Sequence, residues 1–165
     1  MKRTILGLVL ALSLMNAAMA LDEPDIAAKS NSEIETSATG LNPGALYVLA
    51  GRLLAEGNGQ AAAGWMYAGR LRYLFLLQAG NGRPETEYAS FLAIDNQIGR
   101  QVEAFIAKDP RARIEAIDWA LQWDEASENL VTSKTDHSDL LGKIRASFIE
   151  LRNSLRAQYD ADHGN

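Results

Sequence analysis

Apolar positions along residues 45–79 recur at the spacing of helices and predict a helical hairpin. Leu46, Leu49, Leu53 and Leu54 mark the first helix. Asn42 is placed to cap it, with Pro43 and Gly44 at its first positions. Gly57-Asn58-Gly59 ends it, because these residues tolerate the left-handed backbone of a helix stop. The second helix is expected from Gln60 to Ala79. Trp65 and Leu76 fall on one side of it, Leu71 and Phe75 beside them, and Met66, Tyr73 and Leu77 on the rest. A helix with so little polar face belongs at the centre of its domain.

The same periodicity continues beyond a turn at Asn81-Gly82-Arg83-Pro84. Phe91, Leu92, Ile94, Ile98, Val102, Phe105 and Ile106 predict a third helix from Thr86 to Ala107, with Gly99 marking a bend or a close crossing. Asp109-Pro110 is a cap followed by a first-turn proline and opens a fourth helix to Ala126, with Ile114, Ile117 and Leu121 inward. Residues 127–136, SENLVTSKTD, form the longest internal loop, and Thr135 or Asp136 can cap the last helix. Leu140, Leu141, Ile144, Phe148, Leu151, Leu155 and Tyr159 line one face of that amphipathic helix. Residues 161–165 read as a polar tail. The fold class expected is all-α, a single small bundle of about five helices occupying residues 42–160 and beginning with the hairpin.

The start of the chain obeys other rules. Met1-Lys2-Arg3 is basic, Ile5 to Met15 is apolar, and Ala18-Met19-Ala20 has the small-x-small form of a leader-peptidase site. Residues 1–20 are therefore expected to be a cleaved signal peptide, with the mature chain starting at Leu21 in a Gram-negative periplasm. Residues 21–41 are small and polar and read as a flexible or peripheral arm, a short helix at Asp25 to Lys29 being the alternative. Losing Lys2 and Arg3 from the 16 basic residues leaves the 21 acidic ones in an excess of seven. That balance argues against nucleic acid and against an anionic membrane surface. No second apolar run suggests membrane insertion.

Two charges fall on apolar faces. Arg72 projects between Ala68 and Leu76, and Asp95 between Phe91 and Leu92. A buried guanidinium needs a carboxylate, so a structural Arg72–Asp95 ion pair is expected. Arg70 points elsewhere and is expected to reach solvent. Trp119 and Trp123 lie four apart on a second face of the fourth helix. They either pack beneath the last helix or form a patch for a partner.

Catalytic chemistry finds few footholds. Cysteine is absent, which removes thiol catalysis, disulfides and thiolate metal sites. His137 and His163 are not at metal-ligand spacing. No nucleophile elbow, phosphate loop or dinucleotide fingerprint occurs. Glu87, Asp95, Glu103, Asp118 and Asp124 could supply the two acids of glycoside hydrolysis, but their spacing selects no pair. Neither cofactor nor metal is expected.

Ala45, Tyr47, Leu49, Ala50, Gly57, Gly59, Ala62 and Trp65 resemble a Sel1-like unit of the tetratricopeptide class. Such a unit has small and tyrosine residues in its first helix, a glycine turn, and an alanine-rich second helix with an aromatic. The resemblance covers the hairpin, residues 45–79, and implies protein or peptide binding. In size, export and composition the chain also resembles small exported helical immunity proteins of Gram-negative bacteria, some of which neutralise effectors of type VI secretion. The expected function is a non-catalytic periplasmic protein-binding domain, either a scaffold or assembly factor or an immunity-type inhibitor. The alternative is a small enzyme using a carboxylate pair on peptidoglycan or another envelope glycan. The expected partner is another protein, an effector or an envelope component, and a homodimer is left open. The expected partner surface is the 127–136 loop with Trp119, Trp123, Asn129 and Asp136.

Overall fold

The computed structural model describes residues 26–80 and 85–163. The expected signal peptide, the Asn81–Pro84 turn and the last two residues lie outside them. All regular elements among the described residues are helical. They are α1 (Asn31–Ser37), α2 (Gly44–Ala55), α3 (Gly59–Ala79), α4 (Glu85–Ile94), a π-helical turn (Asp95–Gly99), α5 (Arg100–Ile106), α6 (Pro110–Ala126) and α7 (Ser138–His163). The fold is all-α, and α2 and α3 form the expected hairpin.

The punctuation falls within a residue of where the sequence predicts it, Pro43 rather than Asn42 being the residue that immediately precedes α2. The Asn42 Oδ1 accepts from the Gly44 N–H at 2.9 Å. Gly57 takes a φ of 87°, in the left-handed region. Asp109 Oδ1 accepts from the Ala112 N–H at 3.0 Å, and Pro110 comes next at the first helical position.

Helix α3 is the hub, with α2, α4, α5, α6 and α7 all packed against it. Its glycines show how it takes neighbours on several sides. Gly59, Gly64 and Gly69 are five residues apart, so each step turns about 140° around the axis. A Cβ at Gly59 would meet Phe105 of α5, one at Gly64 would meet Trp119 of α6, and one at Gly69 would meet Tyr47 and Leu46 of α2. Each glycine thus admits an aromatic ring from a different helix. This is why α3 lacks a polar face.

Helices α6 and α7 run antiparallel, held by ion pairs whose numbers rise on one helix as they fall on the other. Asp124 meets Arg145 at 2.6 Å, and Asp118 meets Arg152 at 2.6 Å and Arg156 at 3.0 Å.

Three expectations about the elements are corrected. The arm is not loose from residue 26 onward: Ile26 and Ile34 are completely buried, as is nearly all of Ala38. A capping box explains α1. The Ser30 Oγ accepts from the Glu33 N–H at 3.3 Å, and Glu33 Oε2 accepts from the Ser30 N–H at 2.7 Å. Arg52 of α2 then donates to the carbonyls of Lys29 at 2.5 Å and Ile26 at 2.9 Å, fixing the segment to the hairpin. The tail is not separate either, because α7 continues to His163. The third helix is interrupted by the π turn. There a Cβ on Gly99 would lie 2.6 Å from Asp95 Oδ1 and 3.2 Å from Tyr47, so the glycine serves a close crossing.

Candidate functional site

Arg70 and Arg72 are two residues apart on α3 and therefore point about 200° apart. Each organises a polar cluster on its own side of the hub.

On one side Arg72, only 2% exposed, meets Asp124, which is completely buried. The Arg72 Nε donates to Asp124 Oδ1 at 3.1 Å, and Nη2 donates to Ser127 Oγ at 2.7 Å and to the Glu128 carbonyl at 2.8 Å. The guanidinium lies over the Trp123 ring, 4.1 Å from its centroid. Its Nη1 is buried with no hydrogen-bond partner among the described residues. Arg145 approaches from α7 and donates to Asp124 Oδ2 through Nε at 3.0 Å and Nη2 at 2.6 Å. Lys134 turns inward from the loop, with Nζ donating to the carbonyls of Asp124 and Ser127. One carboxylate thus holds three cations together. Burial pushes the Arg72 pKa down against the pull of Asp124. Burial likewise lowers Lys134; Asp124 opposes the shift, and Arg72 and Arg145 add to it.

On the other side Asp95 sits in the π turn. Its Oδ1 accepts from Tyr47 Oη at 2.9 Å and from Arg70 Nε and Nη2 at 3.1 and 2.8 Å. Arg70 Nη1 reaches Glu103 Oε2 at 3.5 Å. Both oxygens of Glu103 accept from Tyr67 at 3.0 Å, and Arg113 of α6 pairs with Oε1. Arg113 Nε also donates to Tyr67 Oη at 3.0 Å. Burial raises the Tyr67 phenol to about 12, with Arg113 opposing and Glu103 contributing. Tyr47 is fully buried and lies well above its ordinary value, first through burial.

The expected Arg72–Asp95 pair is therefore replaced by two pairs, Arg72 with Asp124 and Arg70 with Asp95. Arg70 does not run out to solvent; its side chain is 23% exposed and clamped between two carboxylates. The physical reason is the position of the neighbours. The side of α3 that Arg72 faces is covered by α6 and α7, whereas the π turn carries Asp95 to the side that Arg70 faces. Asp124 had a legible signal: it lies seven residues after Ile117, which returns it to the core stripe of α6.

The proposed partner-surface residues separate. Trp119 and Trp123 pack across Trp65 of the hub, edge to face at centroid distances of 5.0 and 5.1 Å, and lie against each other at 6.2 Å. Trp119 keeps 40% of its surface exposed, while Trp123 is half-buried under Arg72. Asn129 points its Oδ1 at the N–H groups of Val131 and Thr132, both 3.1 Å, and so shapes its own loop. Asp136 is exposed.

Among the described residues no group of three or more His, Asp or Glu side chains could hold a metal ion. An open cavity of about 200 Å³ lies where the start of α6 meets the end of α7, lined by Arg113, Tyr159, Asp162 and His163 among others. That is smaller than the usual small-molecule pocket, about 300 to 1,000 Å³. Among the described residues no helix is long and apolar enough to cross a membrane. No protein-family model, curated protein or solved structure matches the chain.

Proposed function

We propose that this chain is a non-catalytic, periplasmic protein-binding domain, acting as a scaffold or as an immunity-type inhibitor. The observation that carries the reading is how the loop between α6 and α7 is held. From beneath, Arg72 donates to Ser127 and to the Glu128 carbonyl, and Lys134 to the carbonyls of Asp124 and Ser127. From within, Asn129 bonds two backbone N–H groups. From the side, the Leu130 N–H donates to the Thr39 carbonyl at 2.9 Å. An irregular segment ordered in the free protein loses little entropy on binding, which favours recognition of a partner.

The acids lend less support to catalysis. Glu103 has both oxygens occupied by arginine and tyrosine donors, and Asp124 has both occupied by arginines. Each is held as a carboxylate by cations on both of its oxygens, which disfavours taking up a proton. Asp95 is where the enzyme alternative would begin, since among the described residues its Oδ1 takes three donors and its Oδ2 takes none. Arg70, however, bridges it to Glu103, where an acid pair needs substrate.

Affinity capture from periplasmic extract, with the captured proteins identified by mass spectrometry, tests the reading. A stoichiometric hydrolase partner would favour the inhibitor, and envelope structural proteins would favour the scaffold. Capture of nothing, together with muropeptide turnover that disappears in Asp95→Asn, would overturn it. Amino-terminal sequencing of the exported protein should begin at Leu21.

A further inference from the structure

We infer that the loop between α6 and α7 docks through Leu130 into an apolar socket on a protein surface that is rich in lysine and arginine. The inference rests on the protein-binding reading above and specifies the partner's chemistry.

Leu130 is 70% exposed, more than any other large apolar side chain among the described residues. Its exposure is not slack in the chain. Its own N–H is bonded to Thr39, and Asn129 and Val131 on either side are held by the hydrogen bond between them. The backbone is therefore fixed while the side chain is turned out. The next residue but one, Thr132, is buried, so the loop has an inner and an outer side.

Charge is sorted across the same two sides. The cations of this end of the bundle turn inward, since Arg72, Lys134 and Arg145 all converge on Asp124. The acids turn outward. Glu125, Glu128, Asp136 and Asp139 are exposed, and none forms an ion pair among the described residues. Lys143, one turn along α7 from Asp139, is the exposed cation nearest to them in sequence. The loop and the helix ends that flank it thus expose acids on either side of Leu130 in sequence, together with one strongly exposed apolar side chain. A complementary surface is basic around one apolar depression. Opposite charges on the rims steer encounter and exclude acidic surfaces, while contact at the centre removes Leu130 from water.

Site-specific photo-crosslinking tests this with the mature, full-length chain in periplasmic extract. A photoreactive residue replaces exposed Thr135 in the loop, and another replaces exposed Ala104 on α5. The expected result is a cross-linked partner at position 135 in clear excess over position 104, through a segment carrying several Lys or Arg. Its yield should fall at least tenfold in Leu130→Asp or Glu128→Lys, with circular dichroism unchanged, and should fall between 0.05 and 0.5 M salt. A cross-linked segment that is neutral or acidic, or a yield indifferent to both substitutions, overturns the inference. A partner captured by the protein but cross-linked only from position 104 also overturns it, while leaving the protein-binding reading in place. No partner at either position, with none recovered by affinity capture, removes both.

Discussion

At the scale of single residues, the two arginines of α3 divide the molecule's electrostatics. Arg72 and Asp124 are buried together, so removing either leaves the other's charge without its counterpart. Asp124 is the more critical, because Arg145 and Lys134 depend on it too. Asp124→Ala should lower stability by about 3 to 5 kcal/mol, measured by urea denaturation, and more than Arg70→Ala at the less deeply buried cluster. The Tyr67 phenol gives a second residue-scale expectation. Its folded pKa is raised to about 12 from an ordinary 10.0, so the unfolded chain loses this proton first as pH rises. Its stabilising contribution is complete below pH 10 and is lost between about pH 10 and 12. Wild type should therefore lose stability faster than Tyr67→Phe across that window, with phenolate absorbance marking the titration.

At the scale of elements, glycine decides how closely helices approach. The Asp95 oxygen that a Cβ on Gly99 would strike is held by three donors and has no room to yield. Gly99→Ala should cost about 1 to 3 kcal/mol and disturb the π turn. Gly142 is the counterexample, since a Cβ there meets nothing within 4 Å in the interior of α7. Gly142→Ala should raise stability by up to about 1 kcal/mol through helix propensity alone. Thermal melts of the two variants should move in opposite directions. The π turn itself joins these effects, because it places Asp95 and Gly99 on the Tyr47 side of the helix crossing.

At the scale of the whole molecule, the bundle is wider than its hairpin and last helix suggest. Residues 26–41 are a working part of the core, with Ile34 completely buried. Ile34→Ala should cost about 2 to 5 kcal/mol, as for any large side chain removed from a packed interior. A loose arm would give no measurable change in the denaturation midpoint. The same segment supplies the Thr39 carbonyl that holds Leu130, so the arm also supports the loop at the far end of α6. Folding of the arm and presentation of the loop are therefore coupled.

Local signals sufficed for the elements, because caps, turns and periodicity act within a few residues of chain. Asn42, Gly57 and Asp109-Pro110 each determined a helix boundary from their own chemistry. The all-round apolar pattern of α3 likewise determined its place at the centre. The capping box at Ser30 and Glu33 was equally local, and it marks α1 in a stretch whose sparse apolar content suggested a loose arm. The ion pairs were decided elsewhere. A helical projection gives the direction in which Arg70 and Arg72 point, and nothing about which helix stands there. Only the tertiary arrangement set α6 and α7 beside Arg72 and the π turn beside Arg70. It also turned Asn129 and Lys134 inward and left Leu130 outside, since whether a loop side chain is buried depends on backbone from distant segments closing around it.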